Sequence, residues 1–234
     1  MLNPKKKLQK KEIKQDGLIS AYAGATSFYY ENKKYISYAL TALLVVVVGI
    51  FIIVNNRRAN NEKAAAEFAK VFPIYDAGAS QVSQFKVAID GQPEKNIMGL
   101  KKIVENYGGS DAGEIARYYL GNAYYQLGQY DDALKAFDSF SSNSSLLNAS
   151  AYAGIAGCYE VKHDLSKAAS YYEKAANTLA DPIHTPEYLN SSARCYGLSG
   201  EKEKAVTLYK RLKKEYPNST FAREVDRFIA QFSA

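Results

Sequence analysis

Side chains able to do covalent or metal chemistry are few in this chain of 234 residues, which holds two cysteines and two histidines. Cys158 and Cys195 occupy matching local settings, each two residues after a small one, Ala156 or Ala193. Such a pair could form a disulfide in an oxidising compartment if the Cα atoms came within about 7 Å, or the thiols could be small buried side chains where bulk is not tolerated. Neighbouring helices pack about 8–10 Å apart, which favours the second reading. His163 reads as a helix-ending residue, and His184, in Asp181-Pro182-Ile183-His184-Thr185-Pro186, as a solvated loop residue. No phosphate-binding glycine loop, HExxH pattern, nucleophile elbow or group of Cys and His ligands occurs, so the sequence predicts no enzyme, catalytic residue, cofactor or metal.

The cysteines sit in a repeated frame. Segments beginning at Ala116, Ala151 and Tyr188 each carry a small residue (Gly121, Ala156, Ala193) three before an aromatic (Tyr124, Tyr159, Tyr196). An alanine follows nine residues later (Ala133, Ala168, Ala205), then an aromatic four beyond it (Phe137, Tyr172, Tyr209). A period slightly above 34 residues marks a repeat architecture. The order of small, aromatic, Ala and aromatic resembles the tetratricopeptide repeat, which implies two antiparallel helices per repeat, stacked into a solenoid with a concave groove.

The expected fold is therefore all-α. Residues 114–219 are read as three such repeats, with Gly121 meeting Ala133 and with Gly128, His163 and Gly200 at the turns. Residues 220–234 are read as a capping helix, because Phe221, Val225, Phe228, Ile229 and Phe232 recur at helical spacing after Tyr216-Pro217. Residues 55–113 are read as a helical linker and a degenerate first repeat, with Leu100, Ile103 and Tyr107 echoing Tyr209, Leu212 and Tyr216, and with Pro73 expected to kink or break its first helix.

By register with the resemblance, a groove lining comes from the first helix of each repeat: Tyr118, Asn122, Tyr125 and Gln126, then Ser150, Ala153, Gly157, Glu160 and Val161, then Asn190, Arg194 and Leu198. Those proposed to touch a partner are Tyr118, Asn122, Tyr125, Gln126, Glu160, Asn190 and Arg194. Repeats of this type that clamp acidic chaperone tails use lysines where Tyr118 and Gln126 stand, and although Asn122 matches, that clamp is not carried over. The implied ligands are other proteins, with homo-oligomerisation left open.

Charge and hydropathy divide the chain. Residues 1–34 hold eight lysines (5, 6, 7, 10, 11, 14, 33, 34) against Glu12, Asp16 and Glu31, while residues 55–234 balance 22 basic against 21 acidic groups. The net charge of +6 thus belongs almost wholly to the tail, which argues against nucleic acid as a partner and for anionic lipid. Lys7, Lys10, Lys11 and Lys14 share one helical face, and Leu18, Ile19, Tyr22, Phe28 and Tyr29 form a more apolar piece beyond it. Residues 35–54, YISYALTALLVVVVGIFIIV, are uncharged. Their thirteen Leu, Ile, Val and Phe residues favour the bilayer by about 4–8 kcal/mol, and at about 1.5 Å per residue the stretch spans it. Asn55, Asn56, Arg57 and Arg58 follow in place of a cleavage site, so an uncleaved transmembrane helix is predicted. The tail lysines favour a cytoplasmic N-terminus, and Arg57, Arg58, Lys63 and Lys70 oppose it.

Taken end to end, a basic tail, the motif Phe28-Tyr29-Tyr30-Glu31-Asn32-Lys33-Lys34-Tyr35, an apolar span and a repeat domain are similar to the YfgM-like family of ancillary Sec translocon subunits in bacteria. That resemblance implies a single-pass inner-membrane protein with a periplasmic repeat domain, partnered by the translocon, chaperones or secreted clients. The alternative is an anchored assembly factor or organelle import receptor with a cytosolic repeat domain.

Overall fold

A computed structural model describes the backbone of residues 10–233 and the side chains of residue 17 and residues 19–233. The side chains of Lys5, Lys6, Lys7, Lys10, Lys11, Lys14 and Leu18, and hence the proposed lysine face, lie outside the described residues. The chain divides into residues 1–56 and residues 57–234, each taken by itself.

Helix α1 spans Lys10–Ala77. In the first division, nearly all of residues 35–54 are exposed, Leu44, Val45 and Phe51 by 63%, 66% and 71%. This is one helix long and apolar enough to cross a membrane, with a mean hydropathy of 2.7 over its most apolar window and none of that window buried.

In the second division, the remainder of α1 is amphipathic. Ala64 and Val71 are fully buried, and Phe68, Phe72 and Tyr75 surround the ring of Tyr119 at 5.2, 5.5 and 4.9 Å between centroids. Of the expected kink or break at Pro73, the break does not occur, and these contacts explain why. Its missing N–H falls one turn from the end at Ala77, and the side chains around it are held by packing.

Helices α2 (Ser83–Asp90) and α3 (Leu100–Tyr107) follow. Between them β1 (Gly91–Gln92) and β2 (Ile97–Met98) pair antiparallel, Gly91 opposite Met98, so the all-α expectation needs correction by one short ribbon. Glycine is required at 91, where φ is 84° and a Cβ would collide with the backbone of Gly99.

Three helical hairpins then stack: α4 (Asp111–Gln126) with α5 (Tyr130–Asp138), α6 (Ser145–Val161) with α7 (Leu165–Thr178), and α8 (Thr185–Leu198) with α9 (Lys202–Glu215). Each first helix closes with the same pair of hydrogen bonds. Gly128 N–H donates to the Tyr125 carbonyl and Gln129 N–H to Tyr124, at 3.0 and 2.9 Å. His163 and Asp164 repeat this on Glu160 and Tyr159, and Gly200 and Glu201 on Gly197 and Tyr196. This is the Schellman geometry, which needs a left-handed residue just past the helix. Gly128, His163 and Gly200 have φ of 73°, 61° and 93°, so His163 is the helix-ending residue its position predicts.

The small residue of the frame makes room for the aromatic side chain four residues beyond the alanine. A Cβ on Gly121 would come within 2.8 Å of the Phe137 ring, and one on Gly154 of the next repeat within 2.7 Å of the same ring. Gly121 is therefore small to admit Phe137, which lies between two glycines. A 3₁₀ turn, Thr220–Glu224, and α10 (Val225–Ser233) end the described chain. Val225 is fully buried, and Phe228 and Phe232 stack on Tyr209 at 5.2 and 6.3 Å.

Candidate functional site

The face common to α4, α6 and α8 is the place where the register puts a groove. On α4, Tyr118 lies 6.0 and 5.7 Å from the rings of Phe137 and Phe140, and Tyr125 lies 5.5 Å from Tyr130. Tyr125 also covers Gly157 of α6, where a Cβ would stand 3.3 Å from its ring. Both tyrosines thus belong to the packing between the first two repeats and are only partly open to solvent. Asn122 is half-buried and donates through Nδ2 to the Tyr118 carbonyl at 3.2 Å. Gln126, one turn beyond Asn122, is exposed and lines a cavity with Tyr75, Asp76, Gly78, Ala79, Val82 and Phe85.

On α6 and α8 the structure joins two of the proposed residues to each other. Arg194 donates from Nη2 to Glu160 Oε1 at 2.8 Å. The other carboxylate oxygen accepts the Tyr172 hydroxyl at 3.2 Å and faces the Cys195 thiol at 3.7 Å. Burial, and then Glu160, pushes the Tyr172 hydroxyl pKa well above its ordinary value. The Tyr209 hydroxyl, buried with no hydrogen-bond partner among the described residues, is pushed up to about 12 by burial. Asn190 stands half-exposed one turn before Arg194.

Pairing of Glu160 with Arg194 was not anticipated, yet the sequence carries a signal for it: opposite charges 34 residues apart, one repeat length. Ser166 with Glu201, at 2.6 Å, and Arg211 with Asn177, also at 2.6 Å, join neighbouring repeats over a similar interval. Each is a contact between equivalent surfaces of consecutive hairpins.

Cys158 and Cys195 are free and fully buried, and burial raises both thiols to about 11. A thiol held protonated at neutral pH is neither a nucleophile nor a ready metal ligand. His184 is partly exposed at the N-terminus of α8, its Nδ1 3.2 Å from Asp181 Oδ1. Among the described residues, no group of three or more His, Cys, Asp or Glu is placed to hold a metal ion. What this surface offers is hydrogen-bonding amides, aromatic edges and an internally satisfied ion pair, the chemistry of contact with another chain.

Fold and face together define a helical-hairpin repeat scaffold. Residues 116–182 match one tetratricopeptide repeat family and residues 192–219 a second, so the chain carries tetratricopeptide repeats over those segments. Repeats of this kind bind other proteins. No curated protein matches the chain.

Proposed function

We propose that this protein is a membrane-anchored scaffold whose tetratricopeptide groove holds other proteins in the bacterial envelope. Residues 35–54 are the anchor, the N-terminus is cytoplasmic, and the repeat domain lies on the periplasmic side of the inner membrane. There it would link the secretion translocon to chaperones or secreted clients, as the YfgM-like resemblance implies. Residues 55–113 are read as a linker with a degenerate first repeat, and residues 220–234 as the cap. The observation that carries this reading is the joining, in one chain, of an apolar helix of bilayer length, none of it buried, to a stack of matched repeats.

Among the groove residues, Asn122 lines the first repeat, Glu160 the second and Asn190 and Arg194 the third, while Tyr118 and Tyr125 act as much through packing. Gln126 marks the N-terminal rim. A periplasm-specific reporter fused after Ala234 tests the topology, and activity is expected in the envelope. Asn122→Arg and Asn190→Arg in the full chain are expected to lose co-purifying secretory proteins while keeping wild-type helicity; unchanged capture would move the site off this face.

A second reading places the repeat domain in the cytosol, on an anchored assembly factor or import receptor. Arg57 and Arg58, directly after the apolar stretch, favour it. A reporter silent in the envelope and active in the cytoplasm would select it.

A further inference from the structure

Exposed apolar side chains of the repeat domain cluster at both ends of the first helices. At the C-terminal ends are Val161 and Leu198, 42% and 56% exposed. At the N-terminal ends are Ile115, Leu146 and Ile183, 36%, 41% and 72% exposed. Leu146 and Ile183 hold the same repeat position, separated by the interval that separates Cys158 from Cys195. The two ends of α8 are about 20 Å apart, at about 1.5 Å per residue.

Chain connectivity distinguishes them. Arg57, three residues beyond the apolar stretch, donates to Asp111 Oδ1 at 3.2 Å, and Asn61 Oδ1 accepts the Ala112 N–H at 2.7 Å. The N-terminal end of α4 is therefore held to a point that three residues of chain, about 11 Å at most, connect to the end of the span. Successive first helices run the same way. Tyr125 meets Gly157 near the C-terminal ends of α4 and α6, and Glu160 near the C-terminal end of α6 meets Arg194 in the second half of α8. Near the N-terminal ends of α4 and α6, Ile115, Phe140 and Leu147 share one cavity of about 250 Å³.

The chemistry of that edge suits a lipid interface. Its loop Ser141-Ser142-Asn143-Ser144-Ser145 is uncharged, and Leu147 turns inward while Leu146 points out. Ile183 is presented on a fixed turn: Asp181 Oδ1 accepts the N–H groups of Ile183 and His184, both at 2.7 Å. The Thr185 hydroxyl ties the same turn to the Leu179 carbonyl at 2.5 Å. Of the carboxylates nearby, Asp111 is paired with Arg57, and Glu114 with Arg117 and the Gly109 and Ser141 N–H groups, while Asp138 and Glu187 are exposed.

We propose that this edge rests on the membrane surface, with Leu146 and Ile183 entering the boundary between headgroups and acyl chains. The proposal relies on the anchor reading above. It gives the repeat domain a defined edge for contact with the bilayer.

The sequence contains no tryptophan, so a single one introduced reports one place. The full chain would be reconstituted into phosphatidylcholine–phosphatidylglycerol vesicles with brominated acyl chains, carrying Ile183→Trp, Leu146→Trp, Leu198→Trp or Val45→Trp. Bromine is expected to quench positions 183 and 146 at least roughly two-fold more than position 198, at interfacial depth, and position 45 most of all. Quenching at 45 with 183 and 146 no greater than 198 would overturn the edge and leave the anchor intact. No quenching at 45 would remove the anchor and the edge with it. Circular dichroism of each variant checks that the fold is unchanged.

Discussion

The junction between the first and second repeats is built from rings on glycines, whereas the junction between the second and third adds to its apolar packing a polar node around one carboxylate. At the first, Phe137 sits between Gly121 and Gly154, and Tyr125 lies over Gly157. At the second, Ala156 and Ala193 replace glycine in the frame, and Glu160 gathers Arg194, Tyr172 and Cys195. The same hairpin can thus be joined to its neighbour with a close fit of rings on glycines or with a hydrogen-bonded node set beside the packing. Shape tolerates neither added nor missing volume, while a partly exposed polar node tolerates substitution because water can replace a lost partner.

The largest expected effect breaks the first junction. Phe137→Ala removes a ring that is 2% exposed and should cost about 3–5 kcal/mol, read by denaturant unfolding. Gly154→Val should cost about 1–3 kcal/mol by overpacking the same ring. A variant carrying Gly154→Val and Phe137→Leu should recover part of that loss. If Gly154→Val melts like the parent, the close approach of Phe137 is not what holds this junction.

Arg194→Ala tests the second junction more gently. Side chains of Arg194 and Glu160 are 38% and 27% exposed, so solvent screens the pair and the loss should be about 1 kcal/mol. Adding Glu160→Gln should restore some of it, because the carboxylate left behind is then neutral. A double variant less stable than Arg194→Ala would contradict this account of the node.

Alkaline pH should loosen both junctions through their thiols. The folded-state pKa of Cys158 and Cys195 is raised from 9.0 to about 11, so their contribution is fully present below pH 9 and is lost as pH rises through about 11. The melting temperature should fall over that window. Cys195→Ala, which installs the residue found at Ala123 of the first repeat, should flatten the fall. An identical pH profile in that variant would assign the transition to other groups, such as Tyr75 or Tyr209, each raised to about 12 by burial.

The smallest effect should be a gain. His163 carries a side chain at φ 61°, where Gly128 and Gly200 stand in the other repeats, so His163→Gly should stabilise by about 0.5–1 kcal/mol. Thermal melting would show it, and a loss would mean that the imidazole makes a favourable contact of its own.

Much of this frame is legible in the sequence because it repeats. Tyr124, Tyr159 and Tyr196 mark the last turn of each first helix, and a left-handed residue follows each at a fixed distance. The ribbon at residues 91–98 was not legible, since two-residue strands leave no periodicity and only Gly91 and Gly99 hint at a turn. That the helix continues past Pro73 was not legible, because it depends on what the helix packs against. The candidate groove was legible as a register but not as a surface: nothing local to Tyr125 or Glu160 tells that one covers a glycine and the other holds an arginine a repeat away.

The most direct test of the scaffold is site-specific photocrosslinking in intact membranes of the native host, with the photoreactive residue at Asn190 on the groove face or at Lys210, exposed on α9. Discrete protein adducts from position 190, absent from position 210, are the predicted result. Adducts from position 210 alone would contradict the groove as the binding face.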